Sequence, residues 1–291
     1  MRVADSTAYR SLLDNLNSLN LQLQKATQEV STGRRLNRPQ DSPSDSAEVL
    51  QLNTQAGQID QYRTNADSAG YFLHMTETSL DSVYNLFTSV FTRGSEAGNN
   101  FKDAGVRETL ATEIRALRDE ILSLANTEAR GRYLFSGSQV SSPAFELSGD
   151  TAAYLGDERV NTIQIADGLQ VGQNIPGSAA FSAVFSDIEQ LLGAIESGDS
   201  GAIETALDGF SGTFAELQKV RTRLGVDLGK LVDSEVSLQV RETDIATRKA
   251  HIQDADLAEA ITRLNRTRTA LEAALSAGSL VGQRNLFDYL G

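Results

Sequence analysis

The stretch SLLDNLNSLNLQLQKATQEVSTGRRLN, residues 11–37, sets the terms of the fold. Its apolar positions Leu12, Leu16, Leu19, Leu23, Ala26 and Val30 recur at steps of 4, 3, 4, 3 and 4, the spacing of a coiled-coil seam. Gly33 then offers a C-terminal stop. A helix of about 25 residues is roughly 38 Å long at 1.5 Å per residue, well beyond the average helix of a globular core. Alone it is marginal, because it cannot cover its own stripe. Each seam Leu taken out of water contributes about 1.5–3 kcal/mol, so the seam requires a partner helix.

The same spacing returns farther along the chain. It resumes through Leu52, Ala56 and Ile59 and sharpens to Leu73, Thr76, Leu80, Val83, Phe87 and Val90. The polar RGSEAGNN, Arg93 to Asn100, reads as a break before a third series, Val106, Leu110, Ile114, Leu117, Ile121 and Leu124. Short breaks between long helices favour antiparallel neighbours. From Arg132 to Phe185 the composition turns to Gly, Ser and Pro. There Thr162 to Ile165 and Leu169 to Val171 alternate polar and apolar around Asp167-Gly168, which predicts a β-hairpin. Helix is expected again from about Ala183, through Ile203 to Gly225, and then almost without a breaker to Leu286. Near the end Leu257, Ile261, Leu264, Leu271 and Leu275 mirror the first helix; Arg268 falls at one seam position, where Thr267 can substitute.

These patterns predict a mainly α fold, a long coiled-coil-like helical bundle rod built from both chain termini, with a small β-rich domain inserted in the middle. The expected division is a terminal coiled-coil domain of residues 1–40 with 250–291, a helical rod domain of 41–131 with 186–249, and a β-rich inserted domain of 132–185.

Composition narrows the function. A net charge of −13 and a pI near 4.7 repel phosphate backbones, so nucleic acid is a poor partner. The basic cluster Arg263, Arg266 and Arg268 reads as a solvated face. No apolar run approaches the ~20 residues of a membrane span, and the first residues lack the apolar core of a cleavable signal peptide. The absence of Cys excludes disulfides and thiolate chemistry. Nucleotide-binding, nucleophile-elbow and zinc-protease motifs are missing, so neither an enzyme nor a cofactor is expected. The two histidines, His74 and His251, lie in helical runs. The acidic pairs Asp157-Glu158 and Asp41 with Asp45 read as turn residues rather than an acid/base pair.

The segment after the first helix, STGRRLNRPQDSPSD from Ser31 to Asp45, holds two of the four prolines. Pro39 and Pro43 bias Arg38 and Ser42 away from helical geometry, and Asp41, Ser42 or Ser44 can cap the next helix. Gly33, Arg34, Arg35, Arg38 and Asp41 therefore form the expected hinge, which gathers positive charge on an acidic chain where an acidic neighbour could meet it.

Ser31-Thr32-Gly33-Arg34-Arg35-Leu36-Asn37 resembles the S-T-G-x-R-[I/L]-N signature of the bacterial flagellin superfamily. Leu110 to Gly137 resembles the end of that family's core helices, and TDIATRKAHIQDADLAEAITRLNRTRTALEAALSAGSLVGQRNLFDYLG resembles its terminal helix. The chain departs from the family pattern at Arg38-Pro39-Gln40-Asp41-Ser42-Pro43, where an Asp/Ala-rich run is usual. The short middle segment, the GRYLFSG entry and the ending Leu286-Phe287-Asp288-Tyr289-Leu290 resemble the members at the hook–filament junction; a filament flagellin is the alternative.

The resemblance implies an extracellular structural protein of the bacterial flagellum, exported unfolded through the flagellar type III apparatus without a cleaved signal peptide. Its implied partners are copies of itself in a ring or tube, the other junction protein, flagellin and a flagellar export chaperone. Leu12, Leu16, Leu19, Leu23, Leu257, Ile261, Leu264, Leu271 and Leu275 are the expected assembly contacts.

Overall fold

The computed structural model describes residues 2–99 and 104–290, and the side chains of residue 7, of 9–98 and of 104–279. Helix continues through Arg93 to Asn99, where a break is expected, and the residues at 100–103 and the side chains of the Leu286 to Leu290 ending lie outside the described residues. Among the described residues six helices dominate: α1 (Arg2–Thr32), α2 (Pro43–Asn99), α3 (Ala104–Ala125), α4 (Gly177–Ser197), α5 (Ser200–Gln253) and α6 (Leu257–Leu290). Three two-stranded antiparallel hairpins lie between α3 and α4: β1 (Glu128–Ala129) with β2 (Arg132–Tyr133), β3 (Phe145–Ser148) with β4 (Thr151–Tyr154), and β5 (Thr162–Ala166) with β6 (Leu169–Gly172). The mainly α class with a small β-containing insert is the one read from the patterning.

The chain divides into two compact units, residues 1–58 with 241–291, and residues 59–240. The second holds the larger core. Down its centre α2 and α5 run antiparallel, with Phe87 stacked on Phe210 at 4.4 Å and Arg221 donating to Asp81 at 2.7 Å. Phe210, Leu217, Leu224, Leu231 and Leu238, one every seven residues, are buried along α5. A second aromatic cluster, Phe135, Phe145, Phe181 and Phe185, joins the hairpins to α4, and Tyr154 closes it by donating to the carbonyl of Asp157 at 2.8 Å. The β5–β6 hairpin turns at Asp167-Gly168, as the alternation predicts, with a bulge between Gln164 and Ala166 and with Ile165 buried.

Three element boundaries differ from the expected ones. Gly94 does not end α2; it is where other helices come close, because a Cβ there would lie 2.7 Å from Leu191 Cδ2 and 2.9 Å from Leu207 Cδ2. Arg93 also holds that turn of helix, pairing with Glu96 at 2.9 Å and with Glu113 at 3.0 Å. Helix α4 begins at Gly177 rather than near Ala183, directly after Pro176, with Gly177 N–H donating to the carbonyl of Phe135 at 2.7 Å. Finally, the expected unbroken run to Leu286 is interrupted between Gln253 and Leu257.

Candidate assembly interface

Within the unit of residues 1–58 and 241–291, α1 and α6 form an antiparallel pair. Leu12 approaches Gly278, with Leu12 Cδ2 3.1 Å from where a Cβ on Gly278 would sit, while at the other end Glu29 pairs with Arg263 at 3.2 Å. On α1, Leu12, Leu16, Leu19, Leu23 and Val30 are half-buried and Ala26 is buried. The seam facing them on α6 is Ala260, Leu264, Thr267, Leu271, Ala274 and Gly278, at steps of 4, 3, 4, 3 and 4. Thr267 is buried and satisfies its hydroxyl by donating to the carbonyl of Arg263 at 2.9 Å, whereas Arg268 is exposed and pairs with Glu272 at 3.2 Å.

This divides the expected assembly residues into two sets. Leu12, Leu16, Leu19, Leu23, Leu264 and Leu271 lie along the intramolecular seam. Leu257, Ile261 and Leu275 do not: they are 49 %, 46 % and 54 % exposed. The reason is that small residues on α6 receive the α1 leucines, turning the large apolar row of α6 aside. On α1, Tyr9, Leu13 and Leu21 are likewise exposed.

The interruption after α1 and the unexpected one after α5 meet. Gly33, at φ +69°, ends α1, its N–H donating to the carbonyl of Glu29 at 2.9 Å. Its own carbonyl accepts from Ala255 N–H at 2.9 Å, Arg35 N–H donates to the carbonyl of Gln253 at 2.7 Å, and Arg34 and Asp254 form an antiparallel bridge. Arg35 reinforces the joint through Asp45 at 2.9 Å and the carbonyl of Ile252 at 3.0 Å. Asp41 does not cap α2. It accepts from the backbone N–H groups of Arg38 at 2.8 Å and Asn37 at 3.2 Å and pairs with Lys25 at 3.3 Å. Partial burial pulls the Asp41 carboxyl up, but those N–H groups and Lys25 leave it below the usual carboxylate range. Helix α2 instead opens on Pro43, suited to a first helical position. The exposed guanidinium groups of Arg34 and Arg38 enter no ion pair among the described residues.

Sequence reasoning missed the second interruption, although its signal was present: Asp256-Leu257-Ala258-Glu259 starts a helix in capping-box form. Asp256 Oδ1 accepts from the N–H groups of Ala258 at 2.9 Å and Glu259 at 3.2 Å. Asp157 is likewise a turn residue, held below the usual carboxylate range first by the Ser138 hydroxyl and then by the Ser138 N–H. His74 is exposed and lies 3.6 Å from Glu77, and His251 is exposed. No described helix is long and apolar enough to cross a membrane.

Charge is unevenly shared. Residues 1–58 and 241–291 carry 13 of the 26 Lys and Arg and 13 of the 39 Asp and Glu, so that unit is neutral and residues 59–240 carry the whole net charge of −13. A neutral helical pair with a row of exposed large apolar side chains is suited to association with like surfaces.

Residues 3–140 match the bacterial flagellin N-terminal helical region, and residues 207–290 match the bacterial flagellin C-terminal helical region. The chain belongs to the bacterial flagellin family. It is 23 % identical to flagellar hook-associated protein 3 of Escherichia coli over 316 aligned positions covering 99 % of both chains. It is 25 % identical to the protein of the same name from Salmonella typhimurium, covering 72 % of this chain and 68 % of that one. Flagellin FlaB1 of Treponema pallidum is 21 % identical, with 93 % of this chain and 91 % of that one covered. Among solved structures, the flagellar junction protein FlgL of Legionella pneumophila shares the fold at a TM-score of 0.60 and 16 % identity, over 72 % of this chain and the whole of that one.

Proposed function

We propose that this protein is a junction adaptor of the bacterial flagellum, joining hook to filament through self-assembly of its terminal helices. The observation that carries the reading is the end-to-end match, 99 % of both chains, to hook-associated protein 3 of Escherichia coli.

The geometry supplies a mechanism. The α1–α6 pair uses Leu12, Leu16, Leu19 and Leu23 with Leu264 and Leu271 to hold itself together, and leaves Leu257, Ile261 and Leu275 facing outward with Tyr9, Leu13 and Leu21. Neighbouring copies in a ring cover that outer row, each large side chain contributing about 1.5–3 kcal/mol as it leaves water. In this scheme the tube-forming part is residues 1–40 with 250–291, and the segment 132–185 lies on the outside. Gly33, Arg34, Arg35, Arg38 and Asp41 serve as joint and contact, with Arg34 and Arg38 offered to acidic groups of a neighbour. Export in an unfolded state, aided by a chaperone, fits a chain without disulfides. The other junction protein and flagellin are the partners at its two ends. A structural role rather than catalysis is favoured by the family.

Complementation tests the reading. A strain lacking this gene is expected to form hooks without filaments, the full chain to restore filaments, and a Leu257→Asp/Ile261→Asp chain that is folded and exported to fail to restore them. Filaments of normal number and length from that variant overturn the assigned surface.

A further inference from the structure

The dipeptide Asp-Gly occurs twice in the chain, in opposite settings. Asp167-Gly168 is the exposed turn between β5 and β6, flanked by the paired residues Ala166 and Leu169. The Asp167 carboxylate enters no hydrogen bond or ion pair among the described residues. Gly168 sits at φ +70°, and nothing lies within 4 Å of a Cβ added to it. Asp208-Gly209 lies inside α5, next to Phe210, which is buried and stacked on Phe87 at 4.4 Å. There the helical ladder occupies the Gly209 N–H and fixes the backbone of Asp208.

This contrast decides a reaction that Asp-Gly carries within itself. A glycine nitrogen, unhindered by a side chain on its own residue, can attack Cγ of the preceding Asp. The nitrogen–Cγ bond forms, the amide hydrogen and a carboxyl hydroxyl leave as water, and a five-membered succinimide results. Water then adds at one of the two ring carbonyls. Addition at Cγ breaks the new bond and restores Asp; addition at the main-chain carbonyl breaks the original peptide bond and leaves Gly joined through Cγ, an isoaspartate. Neither step needs an oxidant or a reductant. At residue 167 only a solvated turn must move to reach the ring geometry, whereas at residue 208 a turn of packed helix must open.

We propose that Asp167-Gly168 is a site of spontaneous isoaspartate formation, and that the modification undoes the docking of the β5–β6 hairpin. Isoaspartate brings the former Cβ into the main chain, one atom more than the two-residue turn holds while Ala166 faces Leu169. The pairs behind the turn, Gln164 with Gln170 and Ile163 with Val171, depend on that length. Strand β5 is anchored to both long helices: Asn65 Nδ2 of α2 donates to the Gln164 carbonyl at 2.7 Å, and the buried Ser234 hydroxyl of α5 donates to the Ile165 carbonyl at 2.9 Å. Strand β6 is held by its pairing with β5 and by the buried Val171, so β6 is the strand that shifts.

Incubating the full chain in warm neutral buffer tests this, with a protease that cuts before Asp but not before isoaspartate and a methyltransferase that labels isoaspartate alone. Cleavage before residue 167 is expected to be lost at least about tenfold faster than cleavage before residue 208, because local opening is easy at an exposed turn and costly within a packed helix. The methyl label should rise in step, and Asp167→Glu, which would have to close a six-membered ring, should remove most of it. Asp167→Asn, equally suited to the turn, reaches the same succinimide faster by expelling ammonia and sets the time course. Equal loss at the two sites, or no loss at residue 167 by the time the Asn variant has converted, overturns the site. In chains carrying isoaspartate, amide exchange across residues 169–172 should quicken, while aged Asp167→Glu keeps its protection. Unchanged exchange in the isoaspartate form overturns the effect on the hairpin.

Discussion

Arg263 Nη1 lies 3.2 Å from Oε2 of Glu29, a carboxylate whose side chain is only 3 % exposed. This ion pair locks the joint end of the α1–α6 pair. Arg263→Met strands the buried carboxylate and should destabilise the terminal unit by about 2–4 kcal/mol. Glu29→Met/Arg263→Met should recover most of that loss. Amide exchange across residues 23–32 during denaturant titration measures both. Equal protection in the single variant and wild type would show that the pair contributes nothing.

The two apolar rows of α6 separate folding from assembly. Leu264→Asp places a charge on the seam against α1 and should cost the terminal pair about 2–4 kcal/mol, visible as loss of protection in α1. Ile261→Asp, on the exposed row, should leave that protection within about 0.5 kcal/mol of wild type yet prevent incorporation at the hook tip.

Gly94→Val tests the close approach in the core of residues 59–240. Its Cβ would meet Leu191 and Leu207 at 2.7 and 2.9 Å, so a loss of about 1–3 kcal/mol is expected in urea unfolding. Gly193→Ala, with nothing within 4 Å, should be neutral or stabilising.

Two carboxylates should give opposite pH signatures. Asp150 is held below the usual carboxylate range first by its hydrogen bond from the buried Arg118 and then by the charges of Arg118 and Arg115. A folded pKa below the unfolded value means stability present at neutral pH and lost as pH falls through the folded pKa. Asp150→Asn should therefore cost about 1 kcal/mol at pH 7, a figure limited by solvent exposure, and the difference should fade in acid. Asp187 is pushed up by desolvation, with partial relief from the Thr213 hydroxyl, and its Oδ2 has no hydrogen-bond partner. Its contribution is present in acid and lost as pH rises through the folded pKa. Asp187→Asn should be equal to or more stable than wild type at pH 7, the gap closing in acid. Thermal melts across pH 3–8 read both.

The large-scale plan was legible because long helices leave a strong periodic trace. Leu12 to Val30 announced a seam, and Thr162 to Val171 announced a hairpin through alternation about Asp167-Gly168. What was misread involves small residues. Gly94 looked like a breaker because single-sequence reasoning cannot see the Leu191 and Leu207 side chains that fill the space beside it. Ala260, Ala274 and Gly278 form half of the α6 seam, yet hydrophobic patterning weights the larger Leu257, Ile261 and Leu275, which face outward. The pairing of Arg34 with Asp254 joins residues far apart in the chain and has no local signature beyond the cap at Asp256.

The location of the protein on intact flagella tests the central claim most directly. The chain has no Cys, so Ser141→Cys, at an exposed position between β2 and β3, gives one thiol for a fluorescent maleimide. On complemented cells the account predicts a single focus at the base of each filament, where hook and filament meet. Label running along the whole filament would contradict it and identify the chain as the filament subunit.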